Sequence, residues 1–250
     1  MIATWLIRTE HLKDERVFYR LYDELPQERK AKVDRLKQEH SKHQSLAAWI
    51  LWMRIRDKYK LSDDQVFNVS HSHACCICST AILPCKDVFI GCDIERIGTY
   101  HEKLVSRFFH IQEQWIFQQM VSSEDKRQMF YRIWVIKESY MKALRLGMAL
   151  DTRSFYIDFY NEDDFYRKNQ NLHLILQSKI DPYHKDDTPG FKQLCLDRQY
   201  VGKHLGQQAI WSGFYAREYT IDDLYRISVC SNIGEFEQGI RREFEYEDGL

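Results

Sequence analysis

Two short stretches of the chain pair residues whose types and spacing suit phosphate chemistry. In Val88-Phe89-Ile90-Gly91-Cys92-Asp93-Ile94-Glu95 an apolar run ends in two carboxylates at i and i+2, which a strand's period of two places on one face. Near a protein surface, at an effective dielectric of about 20, such like charges repel by a few kcal/mol, and a divalent cation removes the penalty. Magnesium suits the arrangement because it takes oxygen ligands, keeps several waters and is held by one or two carboxylates together with substrate phosphates. Taken alone, Asp-x-Glu is more often a solvated acidic strand end.

The second stretch, Trp134-Val135-Ile136-Lys137-Glu138-Ser139-Tyr140-Met141-Lys142, has helical character and raises Trp134, Glu138 and Lys142 along one face at i, i+4 and i+8. An ordinary Glu–Lys surface pair at this spacing contributes about 0.3–0.5 kcal/mol. Here Ile133, Ile136, Met141 and Leu144 surround the pair, so partial burial is expected. Upstream, Arg29, Lys30, Lys32, Arg35, Lys37 and Lys42 offer cations to a phosphate, although charge runs on helices are usually solvated faces.

A different chemistry is offered by His71, His73, Cys75, Cys76, Cys78 and Cys85, where Cys75-x-x-Cys78 has zinc-like spacing. That reading makes the protein a zinc-binding regulatory or interaction module. The competing explanation is a buried strand over residues 74–83 in which Cys serves as a small apolar residue. Strand alternation then sends Cys75 and Cys78 to opposite faces, and this is the reading we favour.

The elements that must position these groups follow from periodicity. Residues 2–8 read as a strand and residues 27–59 as long helical sequence, followed by strands at 66–69, 74–83 and 88–94. Residues 101–120 and 124–146 read as helices, with Gly147 where a helix C-cap is expected, and strands follow at 154–159, 172–177, 209–217 and 225–230. Both halves run from helix-rich sequence to short strands, which predicts an α+β fold of two similar halves, 1–98 and 99–230, with a peripheral or frayed tail at 231–250.

Composition limits the alternatives. With 250 residues and 44% hydrophobic side chains, the chain can bury a core without metal or disulfide. A formal net charge of -1 makes non-specific nucleic-acid binding an unsuitable main task. No apolar run approaches a membrane span of roughly 18 residues, and the N-terminus lacks a secretory lead, so a cytoplasmic protein without membrane or nucleic-acid partners is expected. The seven cysteines should then be thiols.

Gly91-Cys92-Asp93-Ile94-Glu95 followed by Trp134-x-x-Lys137-Glu138-Ser139-x-x-Lys142 resembles the paired signatures of the 4′-phosphopantetheinyl transferases of the surfactin-synthetase type. Two further family segments stand in order with them, Phe67-Asn68-Val69-Ser70-His71 and Arg107-Phe108-Phe109 with Glu113. The resemblance runs from about Pro26 to Cys230 and is dense only in these segments.

The resemblance implies two pseudo-symmetric halves with coenzyme A in the cleft between them. It implies Mg²⁺ held by Asp93, Glu95 and Glu138, and Lys142 on the coenzyme A phosphates and the leaving nucleotide. Glu113 becomes the base for the acceptor serine, while Ser70 and His71 lie near the 3′-phosphate and adenine. Arg29 and Lys32 best reproduce the family's phosphate-binding spacing, and Lys137 is left to packing or a surface contact. The implied activity is that of a holo-carrier-protein synthase, a monomer that moves 4′-phosphopantetheine to a serine of an apo acyl or peptidyl carrier protein and releases 3′,5′-ADP. Two departures bear on how coenzyme A is held: His43-Gln44 stands where the family has an Arg shortly after a His, and the Gly-Lys-Pro loop before Phe67 is missing from residues 61–66. The alternative function is a non-catalytic carrier-interaction protein.

Overall fold

The computed structural model of the chain describes residues 1–83, 87–157, 172–173 and 214–244. Its strands form two antiparallel sheets, and the fold is α+β. The first sheet has β1 (Ile2–Arg8), β2 (Phe67–Ser72) and β3 (Cys75–Ala81) in the order β1-β3-β2. The second has β4 (Ile90–Arg96), β5 (Leu172–His173), β6 (Tyr215–Ile221) and β7 (Tyr225–Ser231) in the order β4-β7-β6-β5. Helices α1 (Glu15–Asp23), α2 (Gln27–Asp34) and α3 (Glu39–Tyr59) lie between β1 and β2; α4 (Glu102–Phe108), α5 (Ile111–Gln119) and α6 (Ser123–Ala143) follow β4.

One connectivity serves both halves. A first strand leads through helices to a helix of 21 residues, α3 or α6, and then to a hairpin whose second strand pairs with the first strand. The parallel expected from the order of elements is thus carried by topology. The boundary is not at residue 98, however: β4 precedes that point yet hydrogen-bonds to β7, so the chain changes sheets between Ala81 and Ile90.

β3 is central in its sheet and buried along its whole length, which explains its uninterrupted apolar run. Alternation sends Cys76 and Cys78 toward α3 with Ala3, Trp5 and Ile7, and Cys75 and Ile77 toward Ile90, Cys92 and Ile94 of the second sheet. Cys75 and Cys78 therefore face different cores and cannot serve one ion. Cys85, the other cysteine of the zinc reading, lies outside the described residues.

Local chemistry corrects several boundaries. Residues 27–59 divide at Arg35–Gln38, and residues 101–120 divide at Phe109–His110. Gly147 does not cap α6: Arg145 takes the left-handed conformation at φ 58°, with Leu146 N–H donating to the Met141 carbonyl at 3.1 Å and Arg145 N–H to Lys142 at 3.0 Å. The expected strands at 154–159, 172–177 and 209–217 lie partly outside the described residues. Nor is the tail frayed over 235–244, since Glu235 and Arg241 carbonyls accept from Ile2 and Leu6 of β1 and Phe244 is buried. No helix among the described residues is long and apolar enough to cross a membrane.

Candidate active site

β2 and β4 are edge strands of different sheets, and they meet through side chains. Asn68, Ser70 and Ser72 alternate onto one face of β2. Asn68 Oδ1 accepts from Cys92 N–H at 2.9 Å, Ser70 Oγ donates to Asp93 at 3.0 Å, and Ser72 Oγ donates to Glu95 at 2.9 Å while accepting from Arg96 N–H at 3.1 Å. This serine ladder fixes both carboxylates of β4 toward one cleft. Its alternation was visible in the sequence, but its partner strand was not.

α6 closes the acidic wall. Gly91 permits this, because a Cβ there would collide with the Ser139 carbonyl oxygen and the Ala143 nitrogen of α6. With the helix so close, Lys142 Nζ reaches Asp93 at 2.7 Å and Ser70 Oγ at 3.0 Å. Trp134, Glu138 and Lys142 all line a cavity of about 580 Å³ together with Asp93 and Glu95. The same-face reading of both motifs holds, and the cavity joins them.

Burial pushes Asp93 up, and Lys142 and Ser70 oppose it. Burial pulls Lys142 down, but the Asp93 charge and hydrogen bond, together with the neighbouring Cys92 and Glu138, more than offset it and raise it; the 2.7 Å contact is an ion pair. Burial and then the Asp93 charge push Glu95 up to about 7, and the same two causes raise Glu138. The wall thus carries more acid than its one ammonium balances.

Asp93 Oδ2 is buried without a hydrogen-bond partner. A buried carboxylate oxygen left unpaired is costly unless a cation or donor meets it. Among the described residues no three His, Cys, Asp or Glu side chains are drawn together as a formed metal cage. The donor set of Asp93, Glu95 and Glu138 on one wall nonetheless fits magnesium, which needs few protein oxygens and keeps its waters.

The lining contributed by α2, α3 and β2 adds basic and aromatic groups. Arg29 and Lys32, one turn apart on α2, line the cavity, and the Arg29 guanidinium lies 3.9 Å from the Trp49 ring centroid. Phe67 also lines it and is stacked on Trp52, with centroids 3.8 Å apart. Ser70 and His71 reach the same space. Partial withdrawal from water, then Lys142 and Lys32, push the His71 imidazole below its usual value, so an arriving anion would raise it. Gln44 lines the cavity too, but its amide donates to the His73 carbonyl at 2.9 Å and fastens α3 to the β2–β3 turn. Trp49 and the Gln44 contact were not singled out from sequence, since helical spacing does not say which face of α3 meets a cleft.

Glu113 is not brought to this cleft. It is fully buried at the start of α5, where it accepts from His110 N–H at 2.9 Å, Ile157 N–H at 3.0 Å and Lys137 Nζ at 2.9 Å. Lys137 is neither a surface contact nor a cleft residue, being 1% exposed.

Comparison with known proteins gives the same direction. Residues 89–195 match the model of the 4′-phosphopantetheinyl transferase superfamily. The 4′-phosphopantetheinyl transferase gsp of Aneurinibacillus migulanus is 34% identical over 133 residues, covering 52% of this chain and 50% of that protein. A 4′-phosphopantetheinyl transferase of Bacillus subtilis is 24% identical over 75% of this chain and 63% of its own length. The 4′-phosphopantetheinyl transferase Sfp of Bacillus subtilis (strain 168) is 28% identical over 49% of this chain and 53% of its own length. The chain thus resembles this family, as its motifs do, and the matches span between half and two thirds of the curated relatives.

Proposed function

We propose that this chain transfers the 4′-phosphopantetheine group of coenzyme A to a serine hydroxyl of an apo acyl or peptidyl carrier protein, releasing 3′,5′-ADP. One observation carries the proposal. A single cavity is lined both by Arg29 and Lys32 of α2 and by Asp93, Glu95, Glu138 and Lys142 of β4 and α6, which suits a donor carrying both a phosphate and a pyrophosphate. The superfamily match over residues 89–195 supports it, since that segment contains the whole acidic wall.

In this reading Arg29 and Lys32 hold the 3′-phosphate, with His71 and Ser70 beside it. Asp93, Glu95 and Glu138 would hold Mg²⁺, whose contribution is to neutralise and orient the pyrophosphate. Lys142 turns its charge from Asp93 toward the leaving nucleotide. The serine oxygen bonds to the β-phosphorus as the bond to 3′,5′-ADP breaks, and the hydroxyl proton leaves through cleft water. Positioning and electrostatics supply most of the barrier reduction. In this reading the chain acts in the cytoplasm, where coenzyme A and an apo carrier protein would meet.

The test is to incubate the protein with MgCl₂, coenzyme A and several apo carrier proteins, and to follow carrier mass. Addition of a phosphopantetheine arm to at least one carrier is expected; folded protein that modifies none would overturn the proposal. Glu138→Gln and Lys142→Ala should each lower kcat/KM by about 100-fold or more without unfolding the chain.

A further inference from the structure

We infer that Glu113 and Lys137 are a positioning pair: their buried contact fixes the rotation of α6, and with it the reach of Glu138 and Lys142 into the cleft. The inference rests on the phosphopantetheine-transfer reading and changes the role that the family resemblance gives Glu113. An acid–base group must reach the proton it moves, and Glu113 does not line the cleft. Its Oε2 accepts from Lys137 and His110 N–H, and its Oε1 from Ile157 N–H, so both oxygens are engaged.

Lys137 is equally committed. Besides Glu113, its Nζ donates to the Thr152 and Phe155 carbonyls, each at 2.7 Å, and lies 4.1 Å from the Phe155 ring centroid. An ammonium has three protons, and each is used. The pair therefore ties the first turn of α5 and the 152–157 segment to the middle of α6. Lys137 immediately precedes Glu138 and stands little more than one helical turn before Lys142, so a rotation that moved those two in the cleft would tear Lys137 from all three acceptors. Glu113 is 0% and Lys137 1% exposed, so solvent is not at hand to replace those contacts. The device is thus rigid because it is both charged and fully bonded.

Three variants of the full chain test this: Glu113→Gln, Glu113→Asp, and the double variant Glu113→Gln/Lys137→Met. Glu113→Gln strands the ammonium, so thermal stability, kcat and MgCl₂ affinity should all fall. The double variant removes the stranded charge, so stability should recover in part relative to Glu113→Gln, but it also removes the tie between α5, the 152–157 segment and α6, so MgCl₂ affinity and kcat should both stay below wild type. Glu113→Asp keeps a carboxylate but withdraws it from Lys137; kcat should drop about ten-fold or more with the pH–rate profile unmoved. Were Glu113 the base and not a positioning residue, the folded double variant would lose kcat while keeping wild-type MgCl₂ affinity, and that result overturns the inference. So does a folded Glu113→Gln with wild-type MgCl₂ affinity, a readout that needs no transfer. Absence of transfer by the wild type counts instead against the proposed function, and the MgCl₂ comparison still decides the positioning role.

Discussion

Three carboxylates crowd the acidic wall of the cleft, and Glu95 records the crowding in its proton affinity. Burial, then the Asp93 charge, raise it from the usual 4.5 to about 7. Because the folded value lies above the unfolded one, the folded chain holds an extra proton between about 4.5 and about 7. The corresponding stability is fully present below the lower value and is lost as pH rises through the upper one. Urea midpoints of wild type should therefore fall relative to Glu95→Gln across that window, and added MgCl₂ should recover the loss only in wild type. A difference that stays flat with pH would show that Glu95 ionises normally. At this scale the sequence was informative where chemistry is periodic: Asp93 and Glu95 share a face because a strand alternates, and Trp134, Glu138 and Lys142 share one because a helix turns. Glu113 was not legible in that way. Its burial depends on Ile157 and Lys137, residues far along the chain whose approach no local spacing encodes.

The contact between β4 and α6 is where local elements become a site. Gly91 faces the helix backbone at Ser139 and Ala143, and no other residue fits there. Gly91→Ala must displace α6 from β4 or break the strand's register, because the obstructing atoms are backbone and cannot swing aside. Overpacking of this kind costs about 3 kcal/mol or more when nothing can yield. A drop in urea midpoint at unchanged slope, with loss of carrier modification, is the expected result. Wild-type stability in this variant would mean that α6 has room the structure does not show. Helix and strand identities along this path were readable from hydrophobic period, and the breaks were not. The chain leaves helix at Arg35–Gln38 and at Phe109–His110 without a Pro or Gly to mark it. At the second break His110 accepts from Gln112 N–H and Glu113 accepts from His110 N–H, a reciprocal cap whose His is an uncommon choice.

At the scale of the whole molecule, the chain ends its described course by returning to where it began. Glu237 N–H donates to the Ile2 carbonyl at 2.9 Å and Arg241 N–H to Thr4 at 2.8 Å, so residues 235–241 cover the outer edge of β1. Glu243 accepts from the Trp5 indole at 2.8 Å and the Tyr59 hydroxyl at 2.6 Å, and Phe244, 2% exposed, enters the first core, the one that α3 shares with β1 around Trp5, Ile50 and Leu51. Polar tail sequence gave no sign of this, since a strap is specified by the edge it covers rather than by its own periodicity. The strap joins the second sheet to the base of α3, and α3 carries Ser45 and Trp49 of the cleft. Loss of its anchor should therefore loosen both the first core and the basic wall. Phe244→Ala should cost about 3–5 kcal/mol, as for other fully buried aromatic side chains, and weaken 3′,5′-ADP binding while MgCl₂ affinity, set by β4 and α6, changes less. Urea titration and calorimetry with each ligand separate the two effects. Equal losses for nucleotide and metal would mean that the strap supports the acidic wall as well, and unchanged stability would mean that it merely rests on β1.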